Sequence, residues 1–135
     1  MLASFTGRGI FPDVCGALAA LRGKYRMVIG SVTDTAPLLE NLAANGLSFD
    51  AVYTSENLRC YKPDPAFYHA ILEREGIAVR DTVFVGDSLE EDALAPKRAG
   101  MTGILLDRKG TCYPPEAGEK PDYVIRSLSD LCNIL

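Results

Sequence analysis

The segment Val83-Phe-Val-Gly-Asp-Ser-Leu-Glu-Glu-Asp92 joins two patterns that belong to different secondary structures. Its first half is a short apolar run that stops at Gly86, which is typical of a buried strand. Its second half carries acidic residues where a helix would begin, and carboxylates are favoured at the positive end of a helix. A strand that leads directly into a helix is the repeating unit of α/β proteins.

The same alternation continues on both sides of this segment. Strands are predicted at Tyr25–Gly30, Ala51–Thr54, Thr82–Val85, Thr102–Leu106 and Tyr123–Ile125, and helices after Pro12, around Leu38, after Asp64, over Glu90–Ala99 and after Ser127. Strands that alternate with helices require crossover connections, and these produce a mainly parallel sheet. We therefore expect a three-layer, Rossmann-like α/β fold.

Length and composition limit the kind of protein. The chain has 135 residues, of which 47% are hydrophobic, so residues 1–135 are expected to form one domain. The net charge of −4 argues against a nucleic-acid partner, and no apolar run is long enough to span a membrane. The four cysteines form no Cys-x-x-Cys pair, which favours free thiols and a cytoplasmic location. A single histidine argues against a Ser-His-Asp triad.

Three polar segments follow strands or lead into helices of the predicted sheet. They contain Ser31, Lys62, and the pair Asp87 and Asp92. Ligands of such sheets bind beyond the carboxyl ends of the strands, so these side chains are expected to meet in one crevice. A hydroxyl, an ammonium and two carboxylates are the groups needed to hold a phosphoryl group together with Mg²⁺.

Each residue also has a structural interpretation. Ser31 could cap the next helix, because short hydroxyl side chains are favoured there. Lys62 alone could be a solvated surface lysine. Asp92 is either a carboxylate of a helix N-terminus or an indirect partner of a metal. Asp87 is the strongest candidate, because it directly follows a buried strand and has no helix-start pattern of its own.

These motifs together resemble the haloacid dehalogenase-like (HAD) hydrolase superfamily, from about Phe11 to the C-terminus. In this resemblance Ser31, followed by Val32, and Lys62 bind the phosphoryl group, and Ser31 and Lys62 act in catalysis. Asp87 binds Mg²⁺, and Asp92 supports that metal site. The resemblance implies a Mg²⁺-dependent phosphatase that acts on a small phosphorylated metabolite through an aspartyl-phosphate.

The sequence departs from the family pattern in its first motif. That motif is an Asp-x-Asp pair that supplies the nucleophile and the general acid/base, and no Asp-x-Asp occurs in the 135 residues. We therefore expect a chain that is truncated at its N-terminus relative to the family, binds Mg²⁺ weakly or not at all by itself, and has no phosphatase activity. The alternative is a non-catalytic HAD-like module that binds an anion or self-associates.

The missing motif also implies a missing strand. In the resembled fold that strand lies centrally, between the strands that end at Ser31 and Gly86. The gap could be closed by direct pairing of these two strands, by the segment Ser4–Ile10, or by the exposed strand edges of a second copy. Gly7 and Gly9 make Ser4–Ile10 a poor strand, so the expectation is a homo-oligomer.

Overall fold

The computed structural model describes residues 2–3, 12–21, 24–32, 34–44, 49–62, 64–107 and 120–134. Within them, six strands form one parallel sheet in the order β3-β2-β1-β4-β5-β6. The strands are β1 (Leu2–Ala3), β2 (Val28–Ser31), β3 (Ala51–Thr54), β4 (Val83–Gly86), β5 (Thr102–Leu106) and β6 (Tyr123–Ile125). The α-helices are α1 (Pro12–Leu21), α2 (Thr35–Ala44), α3 (Ser55–Leu58), α4 (Pro65–Glu75), α5 (Ala95–Arg98) and α6 (Leu131–Ile134).

Helices cover both faces of the sheet. Alternate residues of a strand point to opposite faces, so neighbouring positions of β2 and β4 enter different cores. Val28 and Phe84 pack with α4 and α5 on one face, whereas Val85 packs with α1 and α6 on the other. Ile29 packs with α2. The predicted three-layer, Rossmann-like α/β fold is confirmed.

The expected gap in the centre of the sheet is filled. Leu2 pairs with Val28 and Phe84, and Ala3 pairs with Ile29 and Val85, so β1 lies between β2 and β4. The expectation that the central strand is missing was wrong, because Leu2–Ala3 occupies its place. The substitute considered from the sequence, Ser4–Ile10, lies outside the described residues. The argument for a homo-oligomer loses this premise, and the oligomeric state stays a prediction.

Helix α4 begins and ends where local sequence signals place it. The Asp64 side chain accepts a hydrogen bond from the amide of Ala66, and Pro65 occupies the first helical position, where its missing N–H costs nothing. Gly76 ends the helix in the left-handed conformation, with φ 65°. These caps fix the direction of α4, which packs against the sheet beside the predicted site.

The predicted helix Glu90–Ala99 is divided into two parts. Leu89–Leu94 is π-helical, and a regular α-helix begins only at Ala95. The amide of Ala95 donates to the carbonyl of Glu90, five residues back. Pro96 follows and has no N–H, so it interrupts the regular pattern of helical hydrogen bonds.

Candidate functional site

Ser31 and Val32 lie at the carboxyl end of β2. Ser31 is the last residue of the strand, is buried, and pairs in register with Thr54 of β3. Val32 follows it and is exposed. The structure thus places the predicted hydroxyl at the edge of the sheet where ligands of parallel α/β folds bind.

A tight connection leads from β3 to Lys62. Thr54 caps α3: its side-chain oxygen accepts from the amide of Asn57, and the Asn57 side chain accepts from the amide of Thr54, both at 3.1 Å. Arg59 ends α3 in the left-handed conformation, with φ 55°, which is uncommon for a residue other than glycine. This turn precedes Lys62, whose side chain is buried.

Lys62 and Asp92 form a buried ion pair. The Lys62 Nζ lies 2.7 Å from Oδ1 of Asp92, and the two side chains are only 3% and 2% exposed. The backbone amide of Ser88 donates to Oδ2 of the same carboxylate at 3.0 Å. The ammonium also lies 5.6 Å from the ring centre of Phe84, within the range of a cation–π contact. The ion pair with Asp92 and the contact with the Phe84 ring therefore fix the position of the Lys62 ammonium.

Gly86 makes room for this carboxylate. A Cβ atom at Gly86 would lie 2.6 Å from the Cβ of Asp92 and would overlap its carboxyl group. Only glycine leaves enough space for the Asp92 side chain beside the end of β4. The glycine of the quoted segment is thus explained by the position of Asp92.

Asp87 lies at the same carboxyl end of the sheet as Ser31. Ile29, Ala3 and Val85 share one register row, and Ser31 and Asp87 are each two residues further along β2 and β4. Two strand spacings separate these positions, or about 10 Å. The Asp87 residue is exposed. Both residues thus lie at the carboxyl end of the sheet, and their meeting in one crevice stays a prediction.

The described residues offer an incomplete metal site. Among them, no group of three or more His, Cys, Asp or Glu is arranged to hold a metal ion. Both carboxylate oxygens of Asp92 are already bound, to Lys62 and to the amide of Ser88. Asp87 alone is an exposed carboxylate of the kind that Mg²⁺ binds when phosphate and water supply its other ligands. The assignments of Asp87 and Asp92 to a metal remain predictions.

Sequence reasoning missed Tyr68 and Ser88. Tyr68 of α4 is fully buried, and its hydroxyl donates to the backbone carbonyl of Glu91, the residue before Asp92. Burial, and then the negative charge of Asp92, raise the pKa of Tyr68, so its hydroxyl stays protonated and can donate. Pro96 was the available signal, because a proline inside a predicted helix leaves carbonyl groups that need other donors.

In the part of the chain that the structure describes, no helix is both long enough and apolar enough to cross a membrane. The absence of a nucleic-acid partner and the cytoplasmic location remain predictions.

The fold, the ordered motifs and the buried ion pair agree with one family. The chain belongs to the haloacid dehalogenase-like hydrolases, whose family model matches residues 2–100. The resemblance seen in the sequence is confirmed.

Two curated relatives are phosphatases. The chain is 35% identical over 129 residues to a glyceraldehyde 3-phosphate phosphatase of Methanocaldococcus jannaschii, covering 93% of this chain and 56% of the relative. It is 34% identical over 135 residues to the phosphoglycolate phosphatase of Escherichia coli K12, covering 93% and 50%. A crystal structure of a HAD phosphatase from Thermococcus onnurineus superposes with a TM-score of 0.78 at 32% identity, covering 93% of this chain and 57% of that one. The chain thus spans about half the length of these relatives.

Proposed function

We propose that this chain forms the phosphate-binding part of a HAD phosphatase that hydrolyses a small phosphorylated metabolite. The observation that carries the proposal is the buried Lys62–Asp92 ion pair at the carboxyl edge of the sheet. The relatives named as phosphatases of glyceraldehyde 3-phosphate and phosphoglycolate support the substrate class.

Lys62 is the cation of the proposed site. Its ammonium has three N–H donors, and one of them is directed to Asp92. The contact with Asp92 holds the Lys62 side chain in position, so little conformational freedom is lost when an anion binds. Lys62 then attracts the phosphoryl oxygens and stabilises the charge that develops on them during transfer.

Ser31 and Val32 complete the phosphate contacts in this proposal. The Ser31 hydroxyl donates to one phosphoryl oxygen, and the backbone amide of Val32 is the adjacent donor. Ser31 ends a buried strand and Val32 directly follows it, so their positions are fixed before the substrate arrives. Groups that are already in position lose little entropy on binding and in the transition state.

Asp87 is the proposed ligand for Mg²⁺. The bound ion would neutralise negative charge on the phosphoryl group. Because Asp87 is one carboxylate, its affinity for the ion depends on the phosphate that binds beside it.

The nucleophile in this proposal comes from outside the 135 residues, because they contain no Asp-x-Asp. We therefore expect the purified chain to bind phosphate but to show no appreciable turnover of a small phosphate ester with Mg²⁺. Steady turnover that Asp87→Asn abolishes would contradict this part of the proposal and indicate another nucleophile.

Phosphate binding tests the site itself. Inorganic phosphate should shift the NMR amide signals of Val32 and Ser88 and bind with a measurable affinity in the wild-type chain. Ser31→Ala should weaken that affinity, because a hydroxyl donor is lost while the strand remains. Lys97→Met is the matched control, since it removes a lysine whose side chain is 44% exposed on α5. Equal affinities in all three chains, or shifts far from this edge, would exclude the proposed site.

A further inference from the structure

Tyr68 connects α4 to the π-helical segment that carries Asp92. Its ring packs edge to face against Phe67 and Phe84, with ring centres 5.6 and 5.4 Å away. Its hydroxyl reaches past these rings and donates to the carbonyl of Glu91. A phenylalanine could fill the same apolar space, so ring packing does not explain the hydroxyl.

The carbonyl of Glu91 needs a donor from outside its own helix. In a regular α-helix the amide of Ala95 would serve it, but that amide donates to Glu90 instead. In the π-helical pattern the donor would be residue 96, which is a proline without an N–H. The Tyr68 hydroxyl supplies the missing donor, and a part-buried carbonyl left without one would destabilise the segment.

The position of this segment decides where Asp92 points. Ala93 packs so closely on β5 that a Cβ at Gly103 would lie 2.9 Å from its carbonyl carbon. Tyr68 fixes the peptide that precedes Asp92, and the sheet fixes the residue that follows it. The carboxylate between them is directed to the Nζ of Lys62.

We propose that Tyr68 is a positioning residue, whose hydroxyl holds the π-helical turn completed by Pro96 and thereby aims Asp92 at Lys62. This inference rests on the proposed function only in treating Lys62 as the phosphate-binding cation. The geometric part concerns the protein without phosphate.

The first test is Tyr68→Phe, which keeps the ring and removes the hydroxyl. The NMR signals of the Asp92 carboxyl carbon and the Ser88 amide should shift, because their mutual hydrogen bond changes. Affinity for inorganic phosphate should fall by about tenfold, which is the low end of the loss that follows removal of a residue that orients a metal ligand. Tyr53→Phe is the matched control, since the Tyr53 hydroxyl donates to Glu75 rather than to this segment. It should leave both signals and the phosphate affinity unchanged.

A double-mutant cycle tests the role of Pro96. Pro96→Ala restores an N–H that can donate to the Glu91 carbonyl. Its effect on the free energy of unfolding should therefore be more stabilising in the Tyr68→Phe chain than in the wild type. Additive effects on urea unfolding would show that the two residues do not act on the same carbonyl and would overturn the proposal.

The outcomes separate the two proposals. If the wild-type chain does not bind phosphate, the proposed site is wrong, and the Asp92 and Ser88 signals still decide the role of Tyr68. If phosphate binds and Tyr68→Phe changes neither these signals nor the affinity, the positioning role is refuted and the site stands. Should Tyr68→Phe not fold, the wild-type chain provides the test: a slowly exchanging Tyr68 hydroxyl proton with a cross-peak to the Asp92 amide is expected, and its absence refutes the bond.

Discussion

Removing the ammonium of the buried ion pair should strongly destabilise the protein. Lys62→Met keeps the length and most of the apolar contacts of the side chain, but it leaves the Asp92 carboxylate without its counter-charge. Both side chains are almost fully buried, so solvent screens this loss very little. Breaking a buried pair in this way costs about 3–5 kcal/mol. The amide of Ser88 still binds Asp92 at 3.0 Å, so the lower end of this range, about 3 kcal/mol, is expected.

Urea unfolding followed by circular dichroism measures this effect. Lys62→Met/Asp92→Asn should be more stable than Lys62→Met, because the asparagine fits the same space and leaves no uncompensated charge. Lys97→Met is the control: its ammonium lies 3.9 Å from the nearest carboxylate oxygen of Asp122 on the surface, where such pairs contribute about 0–1 kcal/mol. The reasoning fails if Lys62→Met costs no more than Lys97→Met, or if the second substitution recovers nothing.

Two further substitutions test the packing and the charges around the sheet. Gly86→Ala should destabilise the protein by about 1–3 kcal/mol in urea unfolding, because its methyl group would overlap the Asp92 side chain, whereas Gly16→Ala has open space and should be neutral or stabilising. Burial and the hydrogen bond to Glu75 raise the pKa of Tyr53 from 10.0 to about 12. Because the pKa is higher in the folded state, the Tyr53 contribution to stability is complete below pH 10 and is lost as the pH rises toward 12. Thermal unfolding should show a steeper loss over this range in the wild type than in Tyr53→Phe, and equal slopes would contradict the assignment.

Local signals predicted most of the sheet. Three strands were predicted with the bounds that the structure has: Ala51–Thr54, Thr102–Leu106 and Tyr123–Ile125. Each is a short apolar or β-branched run between turn residues. The strand predicted at Tyr25–Gly30 instead spans Val28–Ser31, since pairing with β3 continues to Ser31. The local sequence pattern was enough to predict that these strands exist. The exact end of a strand also depended on how far it pairs with its neighbour.

The central strand could not be predicted from local pattern. Leu2–Ala3 has only two residues, too few to show any periodicity. Its position follows from the tertiary structure, because the strands on either side bury apolar residues and need a backbone partner between them. Gly7 and Gly9 argue against a strand only in Ser4–Ile10, and the strand lies in the two residues before that segment.

The motifs predicted the residues of the candidate site but not their contacts. Four residues were predicted for the site because they follow strands or begin helices and match an ordered set of family motifs. They are Ser31, Lys62, Asp87 and Asp92. The 30-residue separation of Lys62 and Asp92 carries no information about an ion pair. The pairing depends on the tertiary structure, because the π-helical segment and the space at Gly86 place the Asp92 carboxylate beside the Lys62 ammonium.

Several locally unfavourable features converge on this ion pair. Arg59 adopts a left-handed conformation three residues before Lys62, and Pro96 interrupts a helical segment four residues after Asp92. A buried ion pair itself is often no more stable than apolar residues of the same size. Stability alone would therefore favour a regular helix and an apolar pair at these positions, and departures from local rules concentrate at functional sites. This concentration of unfavourable features supports the proposal that Lys62 binds a phosphoryl group at the carboxyl edge of the sheet.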